Sequence, residues 1–105
     1  MAILITAASS ANAFKLQRLL YHSEVFFAEQ KKMPFIPGKI FIQIPEASSP
    51  VFISELIKIC LDYKINEIHP LKSAEIIELS KAIELFSEYG ISILKPSEDL
   101  ILGLD

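Results

Sequence analysis

A chain of 105 residues with 51% hydrophobic and 22% charged side chains has the length of one domain and too much apolar material to stay disordered. Ten basic against thirteen acidic residues leave a net charge of −3 and a pI near 5.3, which argues against the clustered basic excess of a nucleic-acid-binding domain. The single cysteine, Cys60, excludes an internal disulfide and a cysteine zinc site and points to a reducing compartment.

The chain opens directly into Ile3-Leu4-Ile5 without a basic n-region, so no signal peptide is expected. Polar residues interrupt every apolar run well before the ~20 residues of a membrane helix. The expectation is one cytoplasmic domain over residues 1–105, away from membranes and nucleic acid.

Ala2-Ile3-Leu4-Ile5-Thr6 is a continuous apolar run, the mark of a strand covered on both faces. Residues 7–12 are small and polar, and Ser9 and Ser10 are N-cap candidates for a helix with Ala13, Leu16, Leu19 and Leu20 at helical spacing. His22 stands where a cation complements the dipole at that helix's end. Glu24-Val25-Phe26-Phe27-Ala28 reads as a second buried strand, and Gln30–Gly38 as a loop punctuated by Pro34, Pro37 and Gly38. Lys39–Ile44 is a third strand, closed by Pro45.

Ser49-Pro50 then supplies a cap and a first-turn proline for a helix running through Tyr63. Its apolar face is Phe52, Ile53, Leu56, Ile57 and Cys60. Asn66-Glu67-Ile68-His69 is a brief fourth strand stopped by Pro70. A long helix is predicted from Ser73, with Ile76, Leu79, Ile83 and Phe86 inward and Glu75, Glu78, Lys81, Glu84 and Glu88 outward. Gly90 occupies the place of a left-handed C-terminal cap. Ile91–Leu94 is the fifth strand, and Ser97-Glu98-Asp99 starts a last short helix.

Strands alternating with helices make a parallel sheet with helices on both faces. Right-handed crossovers favour the order 3-2-1-4-5, giving an α/β, three-layer Rossmann-like half-fold with a mostly parallel five-stranded sheet. The link between strands two and three is irregular, since it has no helical pattern and is short for a parallel crossover.

Ligands of open α/β sheets bind beyond the carboxyl ends of the strands, where strand order reverses. That point, between strands one and four, gathers residues 6–10 of the first loop with His69, Pro70 and Ser73. Ser9, Ser10, His69 and Ser73 are the candidate ligand-binding residues for a small anionic molecule, held with the help of helix N–H groups. The same serines are ordinary N-caps, and the plainer reading of His69 is a strand-end histidine bonded to backbone. The loop Thr6-Ala7-Ala8-Ser9-Ser10-Ala11 lies where a dinucleotide fingerprint belongs but has no glycine to let pyrophosphate approach. Glu29 sits where a ribose-binding acid would be expected, and without those glycines it does not make a nicotinamide site. Cys60 reads as a packed core thiol. No metal site, cofactor or catalytic set is expected. Met33, Phe35 and Ile36 place apolar side chains on a surface loop, a candidate interface that folding over the sheet edge would explain equally well.

The strand ending Ile68-His69-Pro70, the helix opening with Glu75, Gly90 before Ile91–Leu94 and the Pro96-Ser97-Glu98 helix start resemble the N-terminal domain of ATP-grasp enzymes. These include biotin carboxylase, the carbamoyl-phosphate synthase large subunit and related carboxylate–amine ligases. Ile3-Leu4-Ile5-Thr6 and Ile44-Pro45 before the next helix extend the likeness over nearly the whole chain. The glycines common in the family's first loop are absent, and no ATP-binding or catalytic position of the family maps onto any residue here. The resemblance implies a non-catalytic pre-ATP-grasp-like module, either stand-alone or the front piece of a split or truncated ligase with an ATP-grasp partner chain. Two further readings stand beside it. One is a small binding protein or enzyme for an anionic metabolite in the crevice, and the other is a homo-oligomer joined through Phe35, Ile36 and the third strand.

Overall fold

Two apolar runs, at residues 2–5 and 25–28, set the centre of the molecule, because each strand must bury both of its faces. The computed structural model describes residues 2–6, 13, 18, 24–32, 34, 36–38 and 40–95. Within them the strands are β1 (Ala2–Ile5), β2 (Glu24–Glu29), β3 (Phe41–Gln43), β4 (Glu67–His69) and β5 (Ser92–Ile93). Every pairing is parallel, and the order is β3-β2-β1-β4-β5. The chain is therefore an α/β Rossmann-like half-fold, as the alternation of patterns requires. The irregular link does deliver a parallel third strand. β3 lies beside β2 with Phe27 opposite Phe41, and bonds from Phe27 N to Ile40 O and Ile44 N to Glu29 O lengthen the ladder.

Alternation along the strands divides the core in two. Ala2, Leu4, Phe26, Ala28 and Ile68 face the helices α1 (Phe52–Asp62), α2 (Ser73–Ser80) and α3 (Ile83–Glu88), meeting Phe52, Leu56, Cys60, Leu79 and Phe86. Ile3, Ile5 and Phe27 face the other way, with Leu71 and the helical, fully buried Ala13. The remainder of the predicted first helix, His22 and the predicted Ser97 helix lie outside the described residues.

α1 begins later than Ser49-Pro50 suggests. Ser49 Oγ accepts a hydrogen bond from Val51 N at 3.3 Å, and the helix proper opens at Phe52 without a side-chain cap. It ends one residue before Tyr63. Lys64 takes a left-handed conformation (φ 56°) and Ile65 N bonds back to Cys60 O. Gly90 plays the same part after α3, with φ 74° and bonds from Gly90 N to Ser87 O and Ile91 N to Phe86 O, a complete Schellman ending. Each ending feeds a buried isoleucine, Ile65 or Ile91, toward the next strand.

The long helix predicted from Ser73 is two helices. Ser80 Oγ donates to Ile76 O at 2.7 Å, a local bond of the kind that bends helices. The chain then tightens through an Ala82 N to Leu79 O bond before restarting at Ile83. The break shifts the inward frame: Leu79 and Phe86 are buried as expected, but Ile83 is exposed and Ile76 only half-buried. Glu75, expected outside, is inside.

Among the described residues no helix is long and apolar enough to cross a membrane.

Candidate functional site

The carboxyl ends of β1, β2 and β4 converge at the point where strand order reverses between β1 and β4. Backbone bonds tie the rim together. Thr6 N donates to His69 O at 3.2 Å, and Leu71 N donates to Thr6 Oγ1 at 3.0 Å. The chain leaving β4 is thus held to the end of β1 by both the backbone and the side chain of Thr6.

Three polar or charged residues are buried among the described residues, and all three belong to this rim: Thr6 (0% exposed), Glu29 (7%) and Glu75 (1%). Burial of such groups is costly unless they are paired. Glu29 closes β2 and its Oε1 accepts from Gln30 N at 2.8 Å. Glu75 lies in the first turn of α2, four residues before buried Leu79 on the same helix. Residues so spaced share one helical face, which is why it points inward. Burial pushes the Glu75 carboxyl above its ordinary value of 4.5. Hydrogen bonding by the Thr6 hydroxyl, the Lys72 charge and hydrogen bonding by Gln30 oppose that rise, and the Glu29 charge adds to it. The Glu75 Oε1 atom has no hydrogen-bond partner among the described residues. A buried acceptor left in that state costs about 1–3 kcal/mol.

Lys72 Nζ donates to Gln30 Oε1 at 3.3 Å, and Gln43 Nε2 donates to Gln30 O at 3.2 Å. Gln30 and Lys72 border an open depression of about 280 Å³, with Glu46, Ala47, Ser48 and Ala74 on its other sides. A second depression of about 250 Å³ lies by Glu29, between Lys31, Lys32 and the β3 residues Phe41 and Gln43. The rim therefore offers buried acceptors at its floor and lysines at its mouth.

The residues expected here are distributed differently. Ser9 and Ser10 lie outside the described residues, as do Met33 and Phe35. Ser73 is exposed at the first position of α2, whose N-cap is Lys72 in extended conformation, so Ser73 is not the capping residue. His69 ends β4, and its Nε2 is 3.3 Å from Glu67 Oε2 on the same strand. Its register partner is Ile5, which places it on the face opposite Leu4 and Thr6. Ile36 is half-buried. Cys60 is buried in the core, as expected, and burial pushes its thiol up to about 12. No group of three His, Cys, Asp or Glu residues suited to a metal ion occurs among the described residues.

The sequence reading missed Gln30, Lys72 and Glu75. The signal for Glu75 is its place one turn before Leu79 on the same helical face.

No family model matches the chain, and no curated protein matches it. Among solved structures it is similar to a short chain dehydrogenase family protein from Francisella tularensis subsp. tularensis SCHU S4, with a TM-score of 0.57 and 13% identity. The match takes in 93% of this chain and 51% of the other, so the chain spans about half the length of that neighbour. At that identity the likeness shows the Rossmann-like fold alone. It corrects the ATP-grasp resemblance, because the fold neighbour is a short chain dehydrogenase and nothing points to ATP-grasp. The motifs behind that resemblance were a proline after a strand, an acid in a first turn and a glycine after a helix. Any parallel α/β half-fold needs such residues at its strand exits and helix ends, so they do not discriminate between families.

Proposed function

We propose that the chain is a small-molecule-binding module whose ligand, an anionic metabolite, sits at the carboxyl edge of the sheet over β1, β2 and β4. One observation carries this reading: the three buried polar residues, Thr6, Glu29 and Glu75, all gather at that edge, where open α/β sheets bind their ligands. A desolvated titratable group with a perturbed pKa near a depression is a candidate functional group. Lys72, Lys31 and Lys32 stand at the mouths of the two depressions and supply charge for the anion. A dehydrogenase activity like that named for the fold neighbour finds no support in the first loop, where residues 6–11 contain no glycine for a pyrophosphate to approach. A cytoplasmic setting fits a single thiol kept reduced and buried.

The test is an amide-resolved NMR titration with AMP, NAD, ribose 5-phosphate and glycerol 3-phosphate. The expected result is that one or more of these moves the amides of Thr6, Gln30, Lys72 and Glu75. If none moves them, or if the shifts collect on α1 and α3 instead, the reading fails.

A second reading, self-association through the β3 edge, is favoured by Ile40, which is 49% exposed at the start of that short outer strand. Solution mass across a concentration series decides it. A strict monomer at high concentration ends it.

A further inference from the structure

We infer that Glu75 Oε1 is the acceptor for a ligand hydroxyl, so that the metabolite bound at the rim is a hydroxylated anion of the sugar-phosphate class rather than a bare anion. The inference rests on the binding reading above and deepens it.

Oε1 belongs to a residue that is 1% exposed, and no described residue donates to it. Natural cores rarely leave such an acceptor bare, and a ligand is one way to complete it. Glu75 also directly follows Ala74, which lines a surface depression. That depression, of about 280 Å³, is bordered by Gln30 and Lys72 as well. Their mutual bond, Lys72 Nζ to Gln30 Oε1 at 3.3 Å, is long and exposed. Parting it costs little.

The chemistry of the donor follows from the charges around it. The charges acting on Glu75 are those of Glu29 at the end of β2 and of Lys72 just before its own helix, and Glu46 borders the same depression. A phosphate placed against the carboxyl would meet Glu75 and Glu29 together and be repelled. An ammonium would meet Lys72 and lose a strong hydration shell. A hydroxyl carries a donor without a charge and suits the position on both counts. Its phosphate then lies outward, toward Lys72 and the exposed start of α2 at Ser73. Buried carboxylates that accept hydroxyl bonds discriminate sharply against analogues lacking them.

The experiment compares ribose 5-phosphate, glucose 6-phosphate and glycerol 3-phosphate with hydroxyl-free methyl phosphate. The proteins are the wild type, Glu75→Met, Glu75→Asp and the surface control Glu84→Gln, and rim amides and dissociation constants are followed by NMR. A dispersed spectrum confirms that each variant is folded, and Glu75→Asp, which withdraws the oxygen by one methylene, serves if Glu75→Met is not. The expected result is that a hydroxylated phosphate binds at Thr6, Gln30 and Lys72 at least tenfold more tightly than methyl phosphate. That margin disappears in the Glu75 variants and persists in Glu84→Gln. If a hydroxylated phosphate binds at the rim equally well to all four proteins, the assignment of Glu75 is overturned while the binding reading stands. If no probe moves the rim amides of the wild type, both are overturned.

Discussion

Thr6 and Leu71, 65 residues apart in the chain, are joined inside the protein by a 3.0 Å hydrogen bond from the Leu71 amide to the Thr6 hydroxyl. The bond couples the end of β1 to the turn that leads from β4 into α2, whose first turn carries the buried Glu75. One hydroxyl thus serves two elements that must meet for the rim to form.

Replacing Thr6 by Val keeps the shape and removes that bond. The Leu71 amide is then a buried donor without its acceptor, which costs about 1–3 kcal/mol. Thr6→Ser keeps the hydroxyl and loses one methyl group, a cost of about 0.8 kcal/mol. Urea denaturation of the two variants should therefore place Thr6→Ser closer to the wild type. The opposite order would mean that the methyl group, not the hydroxyl, holds the rim.

The Glu75 carboxyl is pushed above its ordinary 4.5, chiefly by burial. A carboxyl with a raised value in the folded state favours folding when protonated. Its favourable contribution is complete below pH 4.5 and fades as pH climbs through the raised folded value. Glu75→Gln keeps the shape and has no charge to desolvate. The variant is therefore expected to be more stable than the wild type at pH 7, with a difference that shrinks on acidification and is smallest near pH 4. Chemical denaturation at a series of pH values measures this. A Glu75→Gln variant less stable than the wild type at every pH would show that the carboxylate is held by interactions stronger than its desolvation.

The sheet was legible because its signals are redundant. Ala2–Ile5 and Val25–Ala28 are apolar on both faces, as only buried parallel strands are, and strict alternation with helices leaves few strand orders. The rim was not legible for the opposite reason. An acid in a helix is normally a solvated group, so periodicity alone sets Glu75 on the wet face and frames the helix on Ile76 and Ile83. The Ser80 to Ile76 bond at the break in this helix is invisible to periodicity. The turn at Lys64 hid in the same way, since left-handed backbone is ordinarily marked by glycine.

Lys64 and Gly90 form a natural pair for measuring that turn. Both sit at positive φ, 56° and 74°, directly after a helix, and a β-carbon at Gly90 would meet nothing within 4 Å. Any effect of substitution is therefore backbone strain alone, about 1 kcal/mol for a non-glycine residue in this region. Lys64→Gly should raise stability by up to about 1 kcal/mol, and Gly90→Ala should lower it by a similar amount. Thermal melts of the two variants provide the check, and equal signs would refute it.

Cys60 reports on the core between α1 and the sheet. It packs among Phe52, Leu56, Ile65 and Phe86, and burial pushes its thiol up to about 12. The reactive thiolate is then scarce at any ordinary pH. The Cys60 carbonyl also accepts the bond from Ile65 N that ends α1, so exposing the thiol means undoing both the packing and the helix ending. Alkylation by iodoacetamide at pH 8 should therefore be slow in the native protein and should follow global unfolding as urea is added, with one labelling midpoint matching the circular dichroism midpoint. Labelling that runs well ahead of unfolding would show that α1 opens on its own, away from the sheet. Cys60→Ser is expected to be destabilised by about 1–3 kcal/mol, because its hydroxyl enters an apolar site, and to lose labelling altogether.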